Sequence, residues 1–117
     1  MTPKRGGRVA PPPGQNEYDV VFGSSDAAKG WPDLCAQAPG NALAAWLALR
    51  TDPAPVVQTS RQHPLRGALS TGTYQGRQLP QWQFEVTGAG RIWYLVDAER
   101  RRVYVTIAGT GHPKVTE

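Results

Sequence analysis

The chain is poor in redox-active and proton-exchanging groups. Its 117 residues include one cysteine, one methionine and two histidines. The single cysteine, Cys35, excludes an internal disulfide and suits a reducing compartment. Two histidines and a cysteine, widely spaced, do not make a zinc pattern, so no metal is expected. No apolar run approaches a membrane span. No apolar segment follows the N-terminal charges, as a secretory signal would require. A soluble cytoplasmic protein without membrane contact is the resulting expectation. A phosphate loop is missing too. Gly88-Ala89-Gly90 joins strand to strand, with no helix N-terminus to receive an anion. No serine sits in a nucleophile-elbow context. Nothing in the chain calls for a cofactor.

Acids are absent from residues 1–16, which hold four prolines, three glycines, Lys4, Arg5 and Arg8. So few apolar side chains cannot offset the ordering entropy, and the segment reads as a disordered basic tail ahead of one domain over 17–117. The formal net charge of +4 is segregated. Residues 17–49 have one base against four acids, whereas 50–117 have nine bases against five acids. The strand-rich half is the cationic part of the body, which points to a polyanionic partner such as RNA.

The residue pattern predicts an α+β domain. Glu17 to Gly23 reads as a first strand. Ser24 or Ser25 can cap a helix carrying Ala27, Ala28, Trp31, Leu34, Cys35 and Ala38 at helical spacing, with Cys35 in the core. Pro32 predicts a kink or a delayed start. Pro39-Gly40 reads as a break, with Asn41 capping a second helix whose apolar stripe is Leu43, Trp46, Leu47 and Leu49. Asp52 to Pro55 ends it, giving a two-helix hairpin. Residues 56–64 read as loop. Alternation from Leu65 to Leu69 predicts a strand. Gln81 to Thr87 places Trp82, Phe84 and Val86 on one face and Gln83 and Glu85 on the other. Gly88-Ala89-Gly90 is a hairpin turn, and strands follow over Arg91–Val96 and Arg102–Ala108. The order is β-α-α-β-β-β: an antiparallel sheet of three to four strands with a helical hairpin on one face. The tryptophans are mostly core, and Arg100, Arg101 and Arg102 form a charged turn.

Three polar residues fall at strand ends: His63, Arg91 and His112. Each has an ordinary explanation as a solvated loop residue, a cross-hairpin partner of Glu85, or a turn residue before Pro113. Together they suit one chemistry. Histidines exchange protons near neutral pH. An arginine between them neutralises a phosphate and the charge added in a pentacovalent transition state. That set fits RNA cleavage by the neighbouring 2′-hydroxyl, without metal.

Leu65-Arg66-Gly67, the run Gly90-Arg91-Ile92-Trp93-Tyr94 and the closing strand followed by His112 resemble, in that order, the motifs of the RelE/ParE toxin superfamily. Its members are the ribonuclease or gyrase-directed toxins of bacterial type II toxin–antitoxin pairs. The resemblance runs from Tyr18 to about Lys114. It implies the RelE-like fold and a metal-independent mRNA endoribonuclease, acting on the ribosome and held by a cognate antitoxin. It assigns Arg91 to the scissile phosphate and His112 to the leaving oxygen as general acid. His63 stands where relatives have a glutamate base. Arg66, Arg77, Glu85 and Lys114 fall in the substrate-binding set, with Glu85 in reserve as base. The chain departs from the pattern in having Gln83 and Glu85 where some relatives have lysines, in lacking a terminal tyrosine and in its basic N-terminal segment. The alternatives are a non-catalytic module of the same fold, binding gyrase or an antitoxin, and a non-toxic RNA- or ribosome-binding protein.

Overall fold

A computed structural model describes residues 3–9 and 11–111. The first strand, β1 (Asp19–Phe22), leads into α1 (Ser25–Gln37). Ser24 caps α1: its Oγ accepts from Ala27 N at 3.0 Å and donates to the Thr106 carbonyl at 2.6 Å. The cap thereby fixes the helix start to the last strand. α1 neither starts late nor stops at Pro32, which lies well inside it. The helix is instead held by close contact with the sheet. A Cβ on Gly30 would come within 1.7 Å of the Ala108 carbonyl oxygen, so only glycine lets the helix backbone lie this close.

Helix α2 (Pro39–Thr51) begins directly at Pro39. Proline in the first turn loses no hydrogen bond, so Pro39 opens the helix where a break was expected. Asn41 is not its cap; its Nδ2 donates to the Val86 carbonyl at 2.8 Å and ties the helix to the sheet. The buried side of α2 is Ala42, Ala45, Leu49 and Arg50, whereas Leu43 and Leu47 point outward. Ala42 and Ala45 pack inward together with Leu49, and Leu43 and Leu47 are left outside. Cys35 is likewise only partly buried, in a groove with Trp31, Leu43 and Trp46. Burial raises its thiol pKa.

The strands that follow are β2 (Gln62–Pro64), β3 (Thr71–Tyr74), β4 (Arg77–Glu85), β5 (Arg91–Asp97) and β6 (Arg102–Gly109). The expected loop over 56–64 therefore contains a strand. The expected strand over Leu65–Leu69 is instead a connection with a short 3-10 turn at Gly67–Leu69, entered at positive φ by Gly67. Among the described residues the sheet has six strands in the order β1-β6-β5-β4-β2, with β3 also pairing to β4. Five of them follow the helices, where three to four were expected. All pairings are antiparallel except β1 with β6. The α+β class, the helix pair and the hairpin between β4 and β5 agree with the sequence reading. Among the described residues no helix is long and apolar enough to cross a membrane.

One sheet face meets the helices. Phe22, Phe84, Val86, Ile92, Tyr94, Val103 and Val105 pack there with Ala27, Ala28, Leu34, Ala45 and Leu49. Tyr94 is fully buried and donates to the Pro53 carbonyl at 2.7 Å, anchoring the segment that leaves α2. Its burial raises the phenol pKa well above the usual range. A smaller cluster of Val21, Leu79, Leu95 and Tyr104 covers part of the other face, under the β3–β4 ribbon.

The N-terminal segment is not free of the body, contrary to the expectation of disorder. Arg8 bridges to Val21, Gly6 N donates to the Phe22 carbonyl and Val9 N to the Val20 carbonyl. Residues 6–9 thus extend the sheet beyond β1. The physical reason lies in two anchors, one within the segment and one on α2. Val9 is 2% exposed in the main core. Arg50, buried in the last turn of α2, donates to the carbonyls of Pro11 and Pro12 and to Glu17 Oε1, and stacks on Trp46.

Candidate functional site

The face of the sheet away from the helices carries the polar residues of β2, β4 and β5. Directly paired residues of adjacent strands share a face, and alternate residues along a strand share it too. His63 pairs with Gln83, Gln83 with Trp93, and Glu85 with Arg91. Glu85 N donates to the Arg61 carbonyl at 2.7 Å, so the pairing extends one step beyond β2. His63, Gln83, Glu85, Arg91 and Trp93 therefore form one polar field, with Arg61 at its border. Thr106 is the extra residue of a bulge in β6 opposite Trp93 and Tyr94, and its hydroxyl donates to the Trp93 carbonyl at 3.2 Å. A bulge of this kind twists the sheet beside the field.

The hydrogen bonds across the field have a single consistent direction. Trp93 Nε1 donates to Gln83 Oε1 at 2.8 Å. That fixes the amide orientation, leaving the Gln83 NH₂ to face His63 Nε2 at 3.5 Å. His63 Nε2 is then an acceptor, and its Nδ1–H donates to the Pro64 carbonyl at 3.0 Å. The indole can only donate, so it sets the tautomer of an imidazole two strands away. The Gln83 contact is long, so a better donor can replace it at Nε2 without losing much.

Beside the imidazole lies an open cavity of about 450 Å³ lined by Gln58, Thr59, Ser60, His63, Pro64 and Arg66. Its walls are hydroxyls, an amide, one imidazole and one guanidinium, a lining suited to an anionic polar ligand.

The remaining predicted residues lie apart from this group or are engaged elsewhere. Arg91 is only 9% exposed. Its Nη1 donates to the carbonyls of Thr87 at 2.9 Å and Gly90 at 3.1 Å, and its Nη2 lies 3.7 Å from Glu85 Oε2. The guanidinium closes its own hairpin. Arg77 lies six residues from Gln83 on β4, about 20 Å along an extended strand. There it is held by Asp97 and Glu99. Burial works against the Asp97 carboxylate, but the Arg77 guanidinium and the Arg100 N–H together hold its pKa below the ordinary value. His112 and Lys114 lie outside the described residues. Among the described residues no group of three histidine, cysteine or acidic side chains could hold a metal ion.

Arg61, Gln83, Trp93 and the hydroxyls of Thr59 and Ser60 were not singled out from the sequence. One signal was present: Arg61 and His63 are alternate residues and share a face if the chain is extended there. Comparison with family models, with curated proteins and with solved structures found no match in any of the three.

Proposed function

We propose that this chain is a RelE/ParE-like ribonuclease toxin module that cleaves RNA at the open sheet face around His63. The observation that carries the reading is the imidazole itself. It stands beside a polar cavity with Nε2 turned into an acceptor by the Trp93–Gln83 chain. A general base must have an available lone pair within hydrogen-bond reach of the proton that it takes. His63 Nε2 has that lone pair, opposed only by one long amide contact.

In this mechanism an RNA phosphodiester enters the cavity, and Arg66 and Arg61 neutralise it. His63 Nε2 removes the proton of the 2′-hydroxyl. The 2′-oxygen bonds to phosphorus, the bond from phosphorus to the 5′-oxygen breaks, and a proton is delivered to that leaving oxygen. The products are a 2′,3′-cyclic phosphate and a 5′-hydroxyl. His112 is the residue assigned to the second proton by the family resemblance. Arg91 acts here by holding the β4–β5 hairpin in shape and lending positive potential, because its donors already serve Thr87 and Gly90. The partner implied by the resemblance is an antitoxin that covers this face, and the ribosome is the implied site of action.

The test is cleavage of a defined RNA by purified protein, alone and with ribosomes, with end-group analysis of products. His63→Ala should slow cleavage at least about a hundredfold, the usual scale for removing a general base. An unchanged rate would sink the mechanism. A second reading, a non-catalytic module of the same fold that binds gyrase or an antitoxin, is favoured by the engagement of Arg91 in its own hairpin. Growth arrest that persists in the His63→Ala protein would select it.

A further inference from the structure

The basic N-terminal residues take no part in the site around His63, and their placement gives them a different use. Pairing of residues 6–9 with β1 lays Arg5 and Arg8 along the sheet border opposite to β2. There they meet residues from far along the chain. One cleft of about 370 Å³ is lined by Gly6, Arg8, Asp19, Tyr74, Arg102 and Tyr104, among others. A second, of about 460 Å³, is lined by Arg5, Gly6, Gly23, Thr73, Tyr74 and Gln75. Tyr74 and Gln75 border both, so the tip of the β3–β4 ribbon divides one basic depression into two lobes.

The charge balance there is uneven. Asp19 is the one acid among the described residues lining either lobe, and Arg8 occupies it with bonds of 2.8 and 3.3 Å. Arg5 and Arg102 are exposed and add cationic charge that no further carboxylate of the lining offsets. Like charges gathered from two distant chain segments repel one another unless an anion is present. The aromatic group is held ready. Tyr74 stacks on Tyr104 with centroids 3.9 Å apart and 17° between planes, which fixes its ring before any ligand arrives. Fixed aromatic rings beside cations are the equipment for binding single-stranded nucleic acid: rings take bases and cations take phosphates.

We infer that the two-lobed basic cleft around Tyr74, Arg5 and Arg102 is a second RNA-binding site, taking single-stranded RNA by base stacking and phosphate contacts. It lies at the β1 border of the sheet, whereas His63 lies at the β2 border. The four strand spacings between those borders come to about 19 Å, a span of a few nucleotides of extended strand. A few nucleotides held in the cleft therefore do not span to the candidate base, and occupancy of the cleft does not depend on whether the chain cleaves.

The test is binding of a fluorescently labelled ten-nucleotide uridine RNA to the full chain, followed by anisotropy over a salt series. The double variant Arg5→Glu with Arg102→Glu changes only exposed side chains. It should weaken binding at least tenfold and reduce the slope of log affinity against log salt by about 1.4, two phosphate contacts at about 0.7 each for single strands. Unchanged affinity and slope would overturn the site. Tyr74→Phe should bind as the parent does and Tyr74→Ser several-fold more weakly; equal affinity of the two would remove the stacking role. Should the Tyr74→Ser chain fail to fold, the charge-reversal pair still decides. Capture by phosphatidylserine vesicles without RNA binding would make this a membrane-facing surface and overturn the proposal. His63→Ala should leave this binding within twofold while abolishing cleavage, so the two proposals fail separately.

Discussion

The two faces of the sheet are built from the same strands and behave differently. The face under the helices is closed. Its residues, among them Val86, Ile92, Tyr94 and Val103, are at most a few per cent exposed. The opposite face is closed where Tyr74, Leu79, Leu95 and Tyr104 cluster and where Trp93 and Arg91 are buried. Elsewhere it presents His63, Gln83 and Glu85, whose polar atoms meet one another or the Arg91 guanidinium. Both faces come from the same period-two alternation. On the closed face a side chain is constrained by volume, and on the open one by hydrogen-bond direction. Substitutions should therefore change stability on the first and proton placement on the second.

The strongest way to break the closed face is at Gly30. Any side chain there meets the Ala108 carbonyl oxygen, backbone that cannot move aside alone. Gly30→Ala should lift α1 from β6 and destabilise the fold by about 3 kcal/mol, the upper part of the range for overpacking. Urea unfolding checks this. A shift under about 0.5 kcal/mol, the scale of an innocuous surface change, would show that the helix seat is soft.

Next is Arg50. Arg50→Ala should cost about 2 kcal/mol, because bonds from a charged donor to Glu17 and two proline carbonyls are lost. It should also release the N-terminal segment, read as faster tryptic cleavage at Arg5 and Arg8. Lysine should not restore protection, since it lacks the planar fork that reaches three acceptors.

Tyr94 tests the closed face by pH. Its folded pKa lies above the unfolded value because burial disfavours the phenolate. A raised pKa means that the stabilisation is complete below the unfolded value and is lost as pH rises past about 10. Tyr94→Phe should cost about 1 kcal/mol at neutral pH, the net worth of its hydrogen bonds, and flatten the alkaline loss of stability. Equal alkaline slopes for the two proteins would exclude this group as the cause.

The closed face was the legible part of the sequence. Trp82, Phe84 and Val86 alternate with Gln83 and Glu85, and the structure keeps that division. The hairpin at Gly88-Ala89-Gly90 and the helix pair were legible for the same reason, since turn residues and apolar spacing state a local preference. What was not legible depended on distant partners. The N-terminal residues have a composition that cannot order itself, and they are held by β1 and by Trp46 and Arg50 of α2. Leu43 and Leu47 share the spacing of a buried stripe, yet α2 turns Ala42, Ala45 and Leu49 inward and leaves those two exposed. Arg91 reads as a site residue, since its type and position fit a phosphate. Only coordinates show that its donors serve Thr87 and Gly90. Gln83 drew notice only as a departure from lysine, though its amide sets the imidazole.

The smallest effect on stability and the most informative on chemistry is expected at Gln83. Gln83→Glu keeps the shape and replaces the amide donor by an acceptor. Trp93 Nε1 can still donate to one carboxylate oxygen, so folding stability should change by no more than about 0.5 kcal/mol, as for surface substitutions that preserve packing. The other oxygen now faces His63 Nε2, where it can only accept. The ring must turn Nε2 into a donor to meet it. Imidazole nitrogen chemical shifts of the purified protein read this directly: the parent should show protonation at Nδ1 alone, and the variant a proton at Nε2. If RNA cleavage depends on the Nε2 lone pair, it should fall about a hundredfold in the same variant, the scale of an occupied base. A changed tautomer with unchanged cleavage would keep the hydrogen-bond chain and remove His63 from the reaction. An unchanged tautomer would show that the Pro64 carbonyl, not Gln83, holds the ring, and the polarity of the open face would then start at β2 rather than at Trp93.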